Sequence, residues 1–193
     1  GTPLLAGGKR KGWCFMSADV ETAFMGGGVA AWWDRQRQYV QAELMEPEEA
    51  LAKGQIDWGV DKVPVEWLGE ETGYHLLVRD KDDAVLSCVG DDFVPLQNYE
   101  LMDILTAITK AGRGLKIESA MSLKGGKVVA ICARRPAPVK IASEEHLQYL
   151  TGANWHGQGR RAVVYPTDIR TVCANTLNLG MAVAKRDDRL FKF

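Results

Sequence analysis

The sequence predicts an α+β fold in which an antiparallel sheet of hairpins packs against helices. Short apolar segments follow one another along the chain, the paired glycines Gly125-Gly126 mark a tight hairpin, and helical patterns occur without a repeated strand–helix–strand unit. Parallel sheets require such crossover units, so their absence favours antiparallel pairing. A chain of 193 residues with 46% hydrophobic and 25% charged residues is ordinary for one principal globular domain.

The first part of the chain is predicted to differ from the rest. Residues 1–45 are expected to form an N-terminal arm, and residues 46–193 the α+β core domain. Segment 17–45 begins with a serine cap and helix-favouring residues, but the triple glycine Gly26-Gly27-Gly28 should break a helix, because each glycine costs about 1 kcal/mol relative to alanine. We therefore expect an interrupted helix in the arm.

The core domain is predicted to open with a short helix and three strands. The helix spans about 47–53, since Pro47 and acidic residues occupy its first turn and Gly54 follows its last. Apolar patterns bounded by glycine and aspartate turns predict strands within 56–68, 74–80 and 84–90.

The second half of the chain contains stronger patterns. Apolar residues repeat at helical spacing over 99–111 and Gly112 follows them, which predicts an amphipathic helix. Two hairpins should follow this helix, one within 115–135 and one within 146–168. The predicted order is therefore strands, helix, two hairpins and a final helix.

The final helix is predicted to start at a Thr167-Asp168 cap and to reach about Lys185. It carries Arg170, Asn175 and Asn178 among small and apolar residues. One interpretation is that both asparagines satisfy backbone groups of neighbouring strands, as buried amides must. The other is that Arg170 and Asn178 line a DNA-binding groove while Asn175 fixes the helix.

The formal net charge is −1, but the two halves of the chain differ strongly in charge. Residues 1–106 contain nine lysines and arginines against nineteen acidic residues, and residues 107–193 contain fifteen against six, so the halves carry −10 and +9. Clustered cations create a local positive potential whatever the total charge, which indicates a polyanion-binding face. The alternative is that the acidic half pairs with the basic half inside one domain.

Several functional classes lack support in the sequence. No apolar run is long enough to cross a membrane, and the N-terminus lacks the apolar segment of a signal peptide, so we expect a cytoplasmic protein. No nucleophile or nucleotide-binding motif is present, so we do not expect an enzyme. No metal or other cofactor is expected, because the four cysteines lack metal-ligand spacing: Cys14, Cys88, Cys132 and Cys173.

The basic residues of the second half concentrate at predicted ends and tips, which we expect to cluster on one rim. Such a rim binds phosphates, and neighbouring aromatic side chains can stack on unpaired bases, so the pattern predicts a single-stranded nucleic-acid interface. Each aromatic residue could instead belong to the core of the sheet. The candidate nucleic-acid-binding residues are Lys110, Arg113, Lys116, Lys124, Lys127, Arg134, Arg135, Arg160, Arg161, Arg170, Asn178 and Trp155, with Tyr99, Tyr149 and Tyr165 as further stacking candidates.

Several segments resemble one protein family. They are Cys88-Val89-Gly90, residues 93–100 with the motif Pro95-Leu96-Gln97-Asn98, residues 125–135, Pro166-Thr167 and residues 170–178. Together they resemble the phage- and plasmid-like proteins with domain of unknown function 932, over about residues 46–185. The resemblance implies a gene of phages, prophages or conjugative plasmids and a chain that continues beyond Phe193, and it supplies no catalytic residue.

This genetic setting suggests a function by analogy. Phages and plasmids often encode single-strand annealing proteins, whose small antiparallel sheet is backed by helices and assembles into rings or filaments around DNA, and the predicted element order is similar to that plan. We therefore expect a non-enzymatic single-stranded DNA-binding protein of DNA recombination, with strand-annealing activity and homo-oligomeric assembly, in a bacterial host cell. The alternative is an inhibitor of a host defence or nuclease that acts by protein–protein interaction through its acidic half.

Overall fold

The computed structural model describes residues 19–26, 39–42, 44–111, 114–157 and 159–193, and it confirms the α+β fold class. The helices are α1 (Pro47–Lys53), α2 (Asn98–Ala111) and α3 (Ala174–Arg186). The strands are β1 (Val20–Gly26), β2 (Tyr39–Ala42), β3 (Val60–Trp67), β4 (Glu70–Arg79), β5 (Ala84–Gly90), β6 (Lys116–Leu123), β7 (Val128–Arg134), β8 (Val139–Ile141), β9 (Glu144–His146), β10 (Tyr149–Trp155), β11 (Val163–Thr167) and β12 (Phe191–Lys192).

The largest element of the fold is a seven-stranded sheet with the order β12-β11-β10-β7-β6-β1-β2. Neighbouring strands of this sheet pair antiparallel, except for β1 and β2, which are parallel. A smaller antiparallel sheet has the order β3-β4-β5, and β8 and β9 form a separate short hairpin. The sheet is therefore predominantly antiparallel, as the sequence predicts.

Both faces of the large sheet are covered. One face packs against α1, α2 and the small sheet, where Leu77, Leu101 and Ile131 belong to one apolar core. The other face packs against α3, where Tyr165 and Leu177 belong to a second core. Within the described ranges, no helix is long and apolar enough to cross a membrane.

Most predicted elements of the core are confirmed, with small shifts at their ends. The helix α1 spans the predicted residues, and α2 begins one residue early, at Asn98. The β6–β7 hairpin turns at Lys124-Gly125-Gly126, where φ is 55°, 66° and 85°. Glycine adopts this left-handed conformation without steric cost, which is why the paired glycines identify the turn.

The helix predicted over 17–45 is wrong where the structure describes that segment. Residues Val20–Gly26 form β1, which pairs with β6, and Tyr39–Ala42 form β2, which pairs with β1. Pairing with a neighbouring strand provides hydrogen-bond partners for the backbone N–H and C=O groups, as a helix does. Strand pairing therefore overrides the local preference of these residues for a helix. The remainder of the segment, including most of the triple glycine, lies outside the described residues, and the boundary at residue 45 stays a prediction.

The final helix begins later than predicted. Its N-cap is Cys173 instead of Thr167-Asp168. Thr176 closes this cap, because its Oγ1 accepts hydrogen bonds from the N–H groups of Val172 and Cys173 at 2.9 and 3.1 Å. The preceding chain is irregular, so Arg170 precedes the helix and reaches the sheet.

Candidate nucleic-acid interface

A groove of about 570 Å³ opens between the β10–β11 loop, the end of α3 and β12. Its floor is apolar and buried or half-buried, and its margin carries exposed cations. The floor consists of Trp155, Val163, Met181 and Leu190, and the margin consists of Arg160, Arg161, Lys185 and Lys192. We call this feature the basic groove.

Three segments of the fold bring the cations of the basic groove together. Lys192 lies on β12 and pairs with Val163 at the edge of the large sheet. Lys185 lies in the last turn of α3. Arg160 follows the end of β10, and its guanidinium carbon lies 5.6 Å from the centre of the Trp155 ring, a cation–π distance. The side chain of Arg160 is therefore held against the groove.

Among the residues that the structure describes, no side chain neutralises the cations of the basic groove by ion pairing. Its four cations form no ion pair with any residue in the described part of the chain. By contrast, Arg186 and Arg189 share the carboxylate of Asp187, at 2.9 and 2.7 Å. A positive potential therefore persists over an apolar surface.

Within the described ranges, few ion pairs join the acidic half to the basic half. Lys116 and Glu46 join the two halves, with 2.9 Å between Nζ and Oε1. The ion pairs of Arg79, Arg134 and Arg186 each form within one half. Mutual neutralisation of the halves is therefore a poor account of the charge asymmetry.

A second groove, of about 340 Å³, lies on the other side of Arg160 and Arg161. The segment before α2 contributes apolar residues to its lining, including Val94, which is 85% exposed. Phe193 and Glu100 also line it. The two arginines therefore border both grooves.

The single rim of cations expected from the sequence is split between the two ends of the large sheet. At one end, Lys116 on β6 lies opposite Arg134 on β7 in the strand register, and Arg135 follows Arg134. Lys124 and Lys127 flank the β6–β7 turn at the opposite end, which is also the end of the basic groove. Strands of seven residues separate the two ends by about 20 Å. Antiparallel register, which the sequence does not reveal, decides this division.

The other predicted binding residues have different surroundings. Lys116 forms an ion pair with Glu46, and this contact raises the pKa of the Lys116 ammonium group above its ordinary value. Asn178 is exposed on α3. The backbone of Lys110 lies in α2 while its side chain is not described, and Arg113 lies outside the described residues.

Arg134 and Arg170, both predicted to face DNA, converge on one buried carboxylate. Glu118 lies at a β-bulge in β6, where the register with β7 shifts between Ile117 and Ser119. Its carboxylate oxygens lie 2.7 Å from Arg134 Nε and 2.5 Å from Arg170 Nε, and its side chain is 4% exposed. The two arginines therefore belong to a buried charge cluster and not to a phosphate-binding rim.

The predicted stacking aromatics divide by burial. Tyr165 is fully buried and donates a hydrogen bond to the carbonyl of Leu177 at 3.1 Å, and Tyr149 is only 6% exposed. The core interpretation is therefore correct for both tyrosines. Trp155 is 5% exposed beneath Arg160, whereas Tyr99 is 55% exposed on α2.

The sequence reasoning missed two cations of the basic groove and the aromatic residues beside them. Lys185 and Lys192 line the groove, and Phe191 and Phe193 are 60% and 51% exposed. For Lys192, the sequence contains a signal in the alternation Phe-Lys-Phe at 191–193, which is typical of a strand. It is only three residues long, so its pairing with β11 was not apparent.

The motif Pro95-Leu96-Gln97-Asn98 is a structural clamp. The side chain of Gln97 accepts a hydrogen bond from the N–H of Val60 and donates one to its carbonyl, at 2.9 and 3.0 Å. Asn98 Nδ2 donates to two carbonyls of the segment before β3, each at 3.1 Å, and its Oδ1 pairs with His156 Nε2 at 3.0 Å. The motif thus fixes the start of α2 to the small sheet.

His156 is a buried neutral base. It is 1% exposed, and burial lowers its pKa to about 4. Because Asn98 uses its amide N–H groups on carbonyls, its oxygen is the acceptor and His156 Nε2 carries the proton. A general base that works near neutral pH needs a pKa near neutrality, which His156 lacks.

The acidic turn at 80–83 also has a structural role. Arg79, buried beside it, donates to both carboxylate oxygens of Asp82 at 2.8 Å and to Glu21 at 2.9 and 3.0 Å. Asp80 accepts a hydrogen bond from the N–H of Gly59 at 2.9 Å. No group of three or more His, Cys, Asp or Glu residues in the described ranges could hold a metal ion.

Comparison with known proteins identifies the family of this chain. A family model with the description Domain of unknown function (DUF932) matches residues 85–189, which is more than half of the 193 residues. No curated protein and no solved structure matches the chain. The matched segment runs from β5 to the end of α3 and contains the structural clamp and the buried charge cluster. The chain therefore belongs to the family of domain of unknown function 932.

Proposed function

We propose that the protein is a non-enzymatic single-stranded DNA-binding protein that acts in strand annealing and recombination in the cytoplasm of a bacterial host. The observation that carries this proposal is the basic groove, where four cations surround an apolar floor without ion-pair partners among the described residues. Phosphates require cations and bases require apolar or aromatic faces, and the groove offers both.

The surroundings of the groove favour single strands over duplex DNA. Phe191 and Phe193, on either side of Lys192 in the chain, are 60% and 51% exposed, and Phe193 lines the second groove. Aromatic rings can stack on bases only when the bases are unpaired, because a duplex covers the base faces. Lys124 and Lys127 at the same end of the sheet extend the positive surface along which a backbone could run.

Fluorescence anisotropy tests this function directly. A labelled oligonucleotide would be titrated as a single strand and as a duplex, at low and at high salt. We expect tight binding of the single strand that weakens steeply with salt, since phosphate contacts release counterions. No binding at low salt would reject the proposal.

Charge reversal locates the site. Arg160→Glu combined with Arg161→Glu should abolish binding with little change in thermal stability, because both side chains are exposed and without an ion pair among the described residues, and the cation–π contact of Arg160 with Trp155 is worth only about 0.5–1 kcal/mol. Lys81→Glu combined with Lys140→Glu is the matched control, since it reverses two exposed charges that do not line the groove. Equal losses in both variants would show that binding depends on net charge and not on the groove.

A second candidate function is capture of a host protein through the acidic half. It is favoured by the tip of the β3–β4 hairpin, where Trp67 and Leu68 are 71% and 88% exposed beside Glu66, Glu70 and Glu71. Exposed apolar patches bordered by charges are typical of protein contacts. Under this alternative, Glu70→Lys with Glu71→Lys should destroy capture of the host protein and the arginine reversals should be harmless.

A further inference from the structure

The β3–β4 hairpin extends beyond the sheet to which it belongs. The last pair between β4 and β5 joins Tyr74 to Gly90, whereas β3 and β4 stay paired as far as Trp67 and Glu70. Four residues at about 3.3 Å each carry the turn about 13 Å past the end of β5. We call residues 65–73 the hairpin tip. A two-stranded ribbon without a third strand is only marginally stable alone.

The turn of the hairpin tip contains a leucine, Leu68, with a left-handed backbone conformation and a side chain exposed to solvent. Leu68 has φ 54° and Gly69 has φ 83°, a pair of left-handed residues of the kind found in tight hairpin turns. Glycine and asparagine tolerate this conformation, whereas leucine is unusual there. Leu68 is also 88% exposed, next to Trp67 at 71%. Burial by another molecule would account for both side chains.

The charges of the hairpin tip indicate the charge of the surface that would cover it. Glu66 and Glu71 lie directly opposite each other on the paired strands, and Glu70 lies opposite Trp67. Like charges at such a position destabilise a strand pair. None of these glutamates forms an ion pair with a residue of the described ranges. The tip therefore fits a surface that combines cations with an apolar floor.

We propose that the hairpin tip of one copy of this chain docks in the basic groove of a second copy. Trp67 and Leu68 would cover the apolar floor, and the three glutamates would face the cations of the margin. Charge complementarity is the argument for this occupant, because the groove supplies four cations and the tip three carboxylates. The inference uses the groove but does not require that the groove binds DNA.

Tip and groove are different surfaces, so the contact is head-to-tail. Each docked copy leaves one tip and one groove available, and such contacts build a ring or an open filament instead of a closed two-fold dimer. DNA at the same cations would compete with the tip. The hairpin tip would then keep the groove covered until a single strand displaces it.

Sedimentation velocity on the full chain at low ionic strength, across a range of protein concentrations, tests the docking. The wild-type protein should increase in mass with concentration. Trp67→Ser combined with Leu68→Asn should remain a monomer, and asparagine suits the positive φ of position 68, so the loss cannot come from an unfolded turn. Arg160→Glu combined with Arg161→Glu should also remain a monomer.

Mixing the two variants gives the decisive measurement. The tip variant retains a groove and the groove variant retains a tip, so an equimolar mixture should form a dimer that cannot grow further. Self-association of the groove variant alone would show a tip-to-tip contact and overturn the proposal. Failure of the folded variants to combine, or a wild-type protein that stays monomeric at every concentration, would also overturn it.

Addition of single-stranded DNA separates this inference from the proposed function. Wild-type protein that binds DNA but never self-associates would reject the docking and leave DNA binding standing. Wild-type protein that self-associates but ignores DNA would reject DNA binding and leave the docking standing. If both hold, added single strands should disassemble the DNA-free assemblies.

Discussion

The carboxylate of Glu118 and the guanidinium of Arg134 lie 2.7 Å apart inside the fold, although a sequence reading places both on one strand hairpin without any sign of contact. Arg170, from the chain before α3, reaches the same carboxylate. Two cations thus share one buried anion, and each arginine partly offsets the cost of burying the carboxylate. The cluster joins β6, β7 and the segment that leads into α3.

Reversal of Arg134 should unfold the protein or destabilise it strongly. Arg134→Glu would place two carboxylates beside each other in a buried site, and removal of one partner of a buried pair typically costs about 3–5 kcal/mol. Arg135→Glu, at the adjacent half-exposed position, should change the free energy of unfolding by less than about 1 kcal/mol. Urea unfolding of both variants measures the difference, and equal stability would refute the structural role of the cluster.

Local patterns in the sequence predict most elements of the core. The elements that they do not predict depend on pairing between strands. The helix at Pro47–Lys53 and the turn at Gly125-Gly126 follow from residues within one segment. The strand at Val20–Gly26 depends on β6, which is about a hundred residues away in the chain, and the bulge at Glu118 depends on the register between β6 and β7. For the same reason, Arg160 could be predicted as exposed, but its position above an apolar groove could not.

Acid should destabilise the protein through His156 before the carboxylates titrate fully. Its pKa of about 4 in the folded protein lies below the ordinary value of 6.5, so the unfolded chain binds the proton first as the pH falls. The contribution of His156 is fully present above pH 6.5 and is lost between pH 6.5 and 4, by about 3 kcal/mol. Urea unfolding at several pH values measures this loss.

A histidine-free site provides the control for this pH dependence. His156→Gln should lower stability at neutral pH and flatten the dependence between pH 6.5 and 4, because glutamine does not titrate. His75 and His146 remain in both proteins, so their contributions cancel in the comparison. An unchanged slope in the variant would show that another group is responsible.

The contact between α2 and β10 leaves no room for a methyl group at Gly152. A Cβ atom there would lie 2.8 Å from Leu105 Cδ1 and 3.2 Å from Leu101 Cδ1, and both leucines are fully buried. Gly152→Ala should therefore destabilise the protein by about 1–3 kcal/mol through overpacking. Gly90→Ala is the control, since no atom of the described residues lies within 4 Å of a Cβ at this position, and its melting temperature should match that of the wild-type protein. Equal melting temperatures for both variants would contradict this packing.

Asn98 and Asn175 should respond differently to replacement by alanine. Asn98 is 1% exposed and bonds two carbonyls and His156, so Asn98→Ala would leave several buried polar groups unpaired and cost about 2 kcal/mol or more. Asn175 is exposed on α3, and Asn175→Ala should change stability by less than about 0.5 kcal/mol. Chemical denaturation compares them. A larger loss at Asn175 would mean that α3 makes contacts beyond those described.

The slope of DNA-binding affinity against salt concentration should report how many phosphates contact the basic groove. Each phosphate contact on a single strand contributes about 0.7 to the slope of log K against log salt concentration. Lys185→Gln combined with Lys192→Gln removes two groove cations and should therefore lower the slope by about 1.4, while the exposed positions leave stability unchanged. Lys81→Gln combined with Lys140→Gln changes the net charge equally at two exposed residues that do not line the groove, so its slope should equal that of the wild-type protein. Anisotropy titrations at four or more salt concentrations give the three slopes. If the groove pair and the control pair reduce the slope alike, the phosphates contact the protein diffusely and the basic groove is not the binding site.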